Sequence, residues 1–280
     1  MKTAALITHS HPPSASEAVA IAAEVAHDLG WRLAATEDEL NKHGAAGEGV
    51  DVTAEHTLPD ICLVLGGDGS ILHALRRYAH TEVPVFGVNF GTVGFLAAVE
   101  REEAAAGIRR ALEGEIETVQ LPGLEVKVDG KEGIGLNDIT LARRPHDRVA
   151  ELSYRIAGQE VGHVRCDGLV VATPQGSTGY NLANGGPVLA WGVEGFVVSF
   201  IAPHSLTARA LVVAPTDELT INNASREEPV EVHVDGRPTL ELSPGEDIHV
   251  AFGLSHGTLA QIPGASFYHR LRERFGRLAR

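Results

Sequence analysis

Ile61-Cys62-Leu63-Val64-Leu65-Gly66-Gly67-Asp68-Gly69-Ser70-Ile71-Leu72-His73-Ala74 is the stretch that decides the fold. Its five leading apolar residues, Ile61 to Leu65, predict a strand buried on both faces, as in a parallel sheet. A glycine turn follows, and then Ile71, Leu72, Ala74 and Leu75 recur at helical spacing. The order is strand, glycine turn, helix. The turn falls at the carboxyl end of a strand, where open α/β sheets bind ligands.

The chemistry of the turn follows from its residues. Three glycines let backbone N–H groups approach a phosphate without side-chain clashes. The next helix points its positive N-terminal end at the same place. Asp68 sits inside this anion cradle, so direct phosphate binding is not its role. A carboxylate there can take a proton from an attacking hydroxyl or hold a divalent metal. The plain alternative is a tight turn with Asp68 as helix N-cap.

At 280 residues the chain can form one large domain or two medium ones. A hydrophobic content of 44% is ordinary for a soluble globular protein. No apolar run reaches the roughly 18 residues that a membrane span needs. Met1 to Thr8 reads as a first strand rather than a signal peptide. The only cysteines are Cys62, in the buried strand, and Cys166. A disulfide framework is therefore not expected, and a reducing cytoplasm fits. The net charge of −14 argues against a nucleic-acid partner. A phosphorylated small ligand needs only local cations, and Arg76, Arg77, Arg143, Arg144, Arg148 and Arg165 supply candidates.

Outward from the glycine turn, the pattern to about residue 115 is β-α-β-α. Ala4 to Thr8 is a strand, and Glu17 to Leu29 a helix stopped by Gly30, with Ser14 or Ser16 as its cap. Thr36 to Leu40 is a short helix, and Asn41 to Val50 a loose loop. Pro84 to Asn89 is a second buried strand, running into the glycine-punctuated turn Phe90 to Leu96. Glu100 to Leu112 is a helix ending at Gly114. From Ile116 to Gly253 the texture changes to short strands and tight turns. Strands are expected at 124–128, 135–142, 150–156, 170–171, 197–201, 211–213, 230–234 and 247–252. Asp129-Gly130, Asp235-Gly236 and Ser243-Pro244-Gly245-Glu246 are hairpin signals. Ser266 to Arg280 reads as a basic amphipathic helix with Phe267, Leu271, Phe275 and Leu278 on one face.

The β-rich part carries two notable stretches. Asp167 to Pro187 is a strand leading into a loop dense in hydroxyls and glycines. Ser177 and Thr178 can donate to phosphate or ribose oxygens, Gly176 and Gly179 permit close approach, and Tyr180 can cover a base or ribose. The plain alternative is an ordinary Ser/Thr-Gly turn. Asn137-Asp138 interrupts an apolar strand, so one side chain faces inward unless the pair sits at a strand end or bulge. Pro203 to Arg209 reads as a polar interruption between strands. Histidine and cysteine spacings give no zinc site, and neither a P-loop nor a Gly-x-Ser-x-Gly elbow occurs.

Taken together these residues resemble the NAD kinase family. The resemblance covers Leu63 to Leu72, Gly87 to Leu96, Asn137-Asp138, Asp167 to Pro187, Pro203 to Val213 and Asp235-Gly236, in the family's order. It implies an α/β N-terminal domain with a parallel sheet, a β-rich C-terminal domain, and a C-terminal segment returning to the first domain. The expected limits are 1–115 with 255–280, and 116–254, with NAD between the two. The implied reaction is phosphorylation of the adenosine-ribose 2′-hydroxyl of NAD to NADP. The implied donor is ATP or inorganic polyphosphate, with a divalent metal (Mg²⁺ or Mn²⁺). A cytoplasmic homodimer or homotetramer is implied as well.

Carried onto this chain, the resemblance makes Asp68 the proton acceptor, with Gly69 and His73 beside it. Asn137 and Asp138 would contact the adenosine part. Arg148, Arg165 and Asp167 fall at ligand-contacting positions. Thr178, Gly179, Tyr180, Asn181, Leu182 and Ala183 would line the dinucleotide, together with Ala202 and Arg237. Two other functions fit parts of the pattern. A lipid kinase of the same superfamily would need an apolar groove. A non-catalytic dinucleotide sensor would have no need of Asp68.

Overall fold

The computed structural model describes residues 1–9, 15–43, 49–54, 57–91, 94–128, 130–264 and 267–276. The chain divides into two compact units, Met1–Gln120 with His256–Arg280, and Leu121–Ser255. Among the described residues no helix is long and apolar enough to cross a membrane.

The first unit runs β1 (Thr3–Thr8), α1 (Ser16–Asp28), β2 (Arg32–Ala35), α2 (Glu37–Asn41), β3 (Asp51–Val52), β4 (Ile61–Gly66), α3 (Asp68–Arg77), β5 (Pro84–Asn89), β6 (Val99–Glu100) and α4 (Ala104–Glu113). Its strands are parallel in the order β3-β2-β1-β4-β5. All six residues of β4 are buried, as a central parallel strand requires. Leu63, Leu65, Phe86 and Val88 pack with α1 and α4 in one apolar cluster. Gly87 leaves room for Ile71 of α3, where a Cβ would come within 2.4 Å of the Ile71 side chain.

Several expectations are refined here. Ala15, not Ser16, is the N-cap of α1. Ser16 is the first helical residue, and its hydroxyl lies 3.4 Å from His43 Nδ1 instead of capping its own helix. Ser14 and residues 44–48 of the expected loop lie outside the described residues. β2 was not anticipated, because four residues are too few to establish an alternation. Helix α4 is preceded by one 3₁₀ turn, Arg101–Glu103, and ends at left-handed Gly114 (φ +86°).

The second unit contains β7 (Glu117–Val128) from Leu121 onward, β8 (Lys131–Gly135), β9 (Asp138–Arg143), β10 (Ala150–Ile156), β11 (Gln159–Cys166), β12 (Gly168–Ala172), α5 (Tyr180–Ala183), β13 (Phe196–Ile201), β14 (Leu211–Val213), β15 (Leu219–Asn223), β16 (Val230–Val234), β17 (Arg237–Leu242) and the first part of β18 (Asp247–Gln261). One antiparallel sheet has the order β14-β13-β12-β9-β16-β17. A second contains β11-β10-β15-β18, with β7 beside β18 and β8. Leu141, Leu169, Phe196 and Val232 from the first share a core with Leu152, Ile221 and Val250 from the second. This is how an antiparallel sheet buries its single apolar face.

The expected strand over 135–142 is broken at Leu136-Asn137, so Asp138 opens β9. Asp235-Gly236 does turn a hairpin, with φ of +48° and +73° joining β16 to β17. Ser243 to Glu246 does not. It carries the chain from β17, paired with β16, to β18, paired with β15 in the other sheet. The Asn223 backbone carbonyl accepts the Gly245 N–H at 2.7 Å within that crossing. Asp129 lies outside the described residues, although β7 and β8 flank it as antiparallel neighbours. Strands β11 and β17 lack a clear alternation because their exposed, charged positions dilute it, and β15 because only Leu219-Thr220-Ile221 alternates before two asparagines.

The last strand returns the chain to the first unit, where Thr258–Ala260 add to β5 in parallel. Helix α6 (Phe267–Phe275) follows in the same unit. Ser266 and 277–280, including Leu278, lie outside the described residues. Leu63→Ala, in the fully buried β4, is expected to cost about 2–5 kcal/mol in urea unfolding. Val52→Ala, on the exposed edge strand, is expected to stay within about 0.5 kcal/mol.

Candidate active site

Gly67, in extended conformation, caps α3 and makes Asp68 its first residue. The Asp68 carboxylate makes no capping bond to its own helix. It turns instead to the segment after β5, where Oδ2 accepts the Phe95 N–H at 2.7 Å and Oδ1 the Leu96 N–H at 3.1 Å. Gly94 makes this approach possible, because a Cβ there would lie 2.5 Å from Oδ1. The two glycine turns abut: Phe90 N–H donates to the Gly66 carbonyl at 3.1 Å. Asn89 Oδ1 accepts the Gly91 N–H at 3.0 Å and steadies the second turn. Thr92 and Val93 of that turn lie outside the described residues.

Burial raises the Asp68 pKa above the ordinary carboxylate range. The Phe95 and Leu96 amides and the Arg270 and Arg274 guanidinium groups pull in the opposite direction without cancelling it. Both arginines come from α6. Arg270 donates to the carbonyls of Phe95 (3.1 Å) and Ala97 and to Gln261 Oε1. Arg274 donates to the Gly94 carbonyl at 3.1 Å and pairs with Glu100. The terminal helix therefore grips the segment whose amides hold Asp68. Sequence reading missed this. The i, i+4 spacing puts both arginines on one helical face, but nothing in it names what they face.

Gly69 is exposed next to Asp68. His73 is also exposed, five residues on and therefore off Asp68's side of the helix. It lines a small cavity with Glu39, Arg77 and Tyr78.

In the second unit three separated motifs converge. Asp235, in the left-handed hairpin turn, accepts three consecutive backbone N–H groups: Leu136 (3.1 Å), Asn137 (2.6 Å) and Asp138 (3.2 Å). The Thr173 hydroxyl donates to the Leu136 carbonyl at 2.7 Å, and Thr173 N–H to the Asn137 carbonyl at 2.9 Å. Gly176 packs on Asn137 so closely that a Cβ would sit 1.9 Å from its carbonyl oxygen. Gln175 Nε2 donates to the carbonyls of Pro122 (2.7 Å) and Leu136. Asn137 Oδ1 is buried with no hydrogen-bond partner among the described residues. A ligand amine or hydroxyl is the kind of group that would satisfy it. Burial, reinforced by the Asp235 charge, pushes the Asp138 pKa to about 6. Thr140 and His233 oppose that rise.

The hydroxyl-rich loop is more structural than its composition suggests. Ser177 is fully buried, donating to the Pro174 carbonyl at 2.6 Å and accepting the Leu189 N–H at 2.9 Å. Its hydroxyl is thereby spent inside the fold rather than offered to a phosphate. Asn181 is buried too, tying the carbonyls of Ser177 and Pro187, each at 2.9 Å. Thr178 is half-buried and donates to the Gln175 carbonyl at 3.1 Å. Gly179, Tyr180 and Ala183 are exposed, and Leu182 is half-buried.

Asp167 is paired with Arg143 Nε at 2.6 Å. Arg148 and Arg165 line a separate cavity of about 200 Å³ with Arg226, Glu151, Glu227 and Glu228. Arg165 pairs there with Glu151 at 3.3 Å. Ala202 is exposed and left-handed (φ +44°), and Arg237 is exposed beside the Asp235-Gly236 turn.

Among the described residues no three His, Cys, Asp or Glu side chains gather as a cation cage. Both oxygens of Asp68 are already engaged by backbone amides.

An α/β unit with a glycine turn and a half-buried carboxylate at its sheet end, joined to a β-rich unit, is a frame suited to a phosphate-bearing ligand. Residues 15–116 match the ATP-NAD kinase N-terminal domain and residues 136–261 the ATP-NAD kinase C-terminal domain. The chain belongs to the NAD kinase family. It is 36% identical over 221 residues to the NAD kinase of Symbiobacterium thermophilum, covering 77% of this chain and 78% of that one. It is 28% identical over 279 residues to the NAD kinase of Geobacter sulfurreducens, covering 97% of each. In fold it is similar to yeast NADH kinase complexed with NADH, with a TM-score of 0.88 at 22% identity over 100% of this chain and 89% of that one. It is also similar to an NAD kinase from Archaeoglobus fulgidus in complex with ATP, with a TM-score of 0.71 at 24% identity over 98% and 97%.

The raised pKa of Asp138 has a stability consequence. Its folded value of about 6 exceeds the ordinary unfolded one, so the folded state holds an extra proton between them. Its contribution to stability is therefore full at low pH and is lost as pH rises through about 6. Asp138→Asn is expected to gain stability relative to wild type by about 1–3 kcal/mol between pH 4 and pH 7, read from paired denaturant titrations.

Proposed function

We propose that this chain transfers the γ-phosphoryl group of ATP to the 2′-hydroxyl of the adenosine ribose of NAD, giving NADP and ADP. Family membership supports the reaction, and the relatives named above are NAD kinases. The observation that carries it for this chain is Asp68: a half-buried carboxylate at a helix N-terminus beside two glycine turns, made more basic by its partial burial. Such a group is suited to accept the 2′-hydroxyl proton as the ribose oxygen bonds to phosphorus and the bond to ADP breaks. A sensor that only binds has no use for it.

Residues of this chain orient and neutralise. Amides of the abutting glycine turns and the N-terminus of α3 suit the transferring phosphoryl group. Asn137 and Asp138 suit the polar edge of the adenosine part, and exposed Tyr180 can cover a ring. A divalent ion would enter with the donor's phosphates rather than on a protein cage. The proposal also takes the protein to be a cytoplasmic homodimer or homotetramer, with polyphosphate as a second candidate donor.

The test is NADP formation with Mg²⁺, run with ATP and with polyphosphate, on wild type and Asp68→Asn. Wild type is expected to make NADP, and the variant to bind NAD while losing about 10²-fold or more in turnover. Near-normal turnover in the variant would remove Asp68 from the role. No NADP with either donor would overturn the reaction.

A further inference from the structure

One carboxylate outside the proposed chemistry is unusually well placed. Asp235 lies about a hundred residues from Asn137 and Asp138 in sequence, yet its two oxygens bind the N–H groups of Leu136, Asn137 and Asp138. These are the residues at which the chain leaves β8 and enters β9. A broken strand there would leave three amide donors without ladder partners. A single carboxylate gathers them instead, in charge-assisted bonds of 2.6 to 3.2 Å. The Asp235 N–H closes the arrangement by donating to the Asp138 carbonyl at 2.9 Å.

We propose that Asp235 is a positioning residue for the dinucleotide: it fixes the Leu136–Asp138 backbone and so the directions in which the Asn137 amide and Asp138 carboxylate meet their ligand. This rests on the function proposed above and adds a residue to it. The same carboxylate acts on Asp138 electrostatically. The groups facing Asp138 are Asp235 from the hairpin turn, His233 from β16 and Thr140 from β9. His233 is itself beside Glu231, at 3.2 Å. With Asp235 charged, Asp138 holds its proton to higher pH. Removing that charge makes Asp138 ionise at lower pH and keeps it an acceptor for ligand hydroxyl or amine groups further into the acid range.

The backbone of Asp235 lets the idea be tested without breaking the turn. Its φ of +48° is one that Asn and Gly adopt readily. Asp235→Asn keeps one acceptor and loses the charge, and Asp235→Gly loses both. The KM for NAD is expected to rise by about threefold in Asp235→Asn and about tenfold or more in Asp235→Gly, with kcat at saturating NAD within about twofold. The pH below which NAD affinity falls is expected to move lower in Asp235→Asn. Amide exchange at Leu136 to Asp138 is expected to speed up in Asp235→Gly while β16 and β17 stay protected.

An unchanged KM in Asp235→Gly, or a kcat that falls in step with the folded fraction, would overturn the proposal and leave Asp235 a turn residue. Unaltered exchange at Leu136 to Asp138 would overturn it as well. A wild-type protein that forms no NADP would count against the reaction instead. The ratio of NAD affinities among the three proteins, from calorimetry, would then decide this inference, and equal or absent affinity would overturn it.

Discussion

Two backbone N–H groups, those of Phe95 and Leu96, hold the carboxylate of Asp68, and much of the first unit serves that contact. Taking even part of a carboxylate out of water is costly unless its oxygens are hydrogen-bonded, and Asp68 is half-buried. Here the partners come from a segment that could equally have stayed loose after β5. It is fixed from three sides: Phe90 and Ala98 bond back to the glycine turn and to β5, Gly94 removes the side chain that would collide, and Arg270 and Arg274 grip its carbonyls. The parallel sheet underneath sets where all this happens. Strands β4 and β5 end side by side, with Gly66 opposite Asn89, so their two turns must meet.

The second unit solves a similar problem with the roles reversed. There the backbone is irregular and a carboxylate repairs it. Asp235 supplies acceptors to three amides at a break between strands. Thr173 and Gln175 take up the carbonyls of the same residues. Two side chains at that break keep unspent or perturbed chemistry, the Asn137 amide oxygen and the Asp138 carboxyl. In both units a backbone–carboxylate contact made across distant sequence puts polar groups where apolar packing alone would not hold them.

The legible part of the fold followed from periodicity and punctuation. The run Ile61 to Leu65 and the strand Pro84 to Asn89 stand where their patterns put them, and the helices stop before Gly30 and Gly114 as expected, although α4 begins at Ala104 rather than Glu100. The less legible part is the β-rich unit. Its strands are short, and β11 and β17 are largely exposed, so these two and the five-residue β15 blend into loops. Ser243 to Glu246 has hairpin composition but changes sheets, with its backbone bonded to distant Asn223, a partner invisible in the turn itself. The Gly176 to Tyr180 loop shows the same limit. Composition offered Ser177 as a phosphate donor, and burial assigned its hydroxyl to Pro174 and Leu189.

What the sequence determined by itself is local: which residues are apolar at which period, where glycine frees the backbone, and that a carboxylate sits inside an anion-binding turn. Those facts were enough for an α/β unit followed by a β-rich one and for choosing Asp68. What only the tertiary structure decided is the company each group keeps. That Arg270 and Arg274 stand over the Asp68 segment, and that Asp235 reaches Leu136 to Asp138, depends on contacts spanning about one hundred to nearly two hundred residues. Such contacts carry no local signature, because a side chain's partner is set by the path of the whole backbone rather than by its neighbours in sequence.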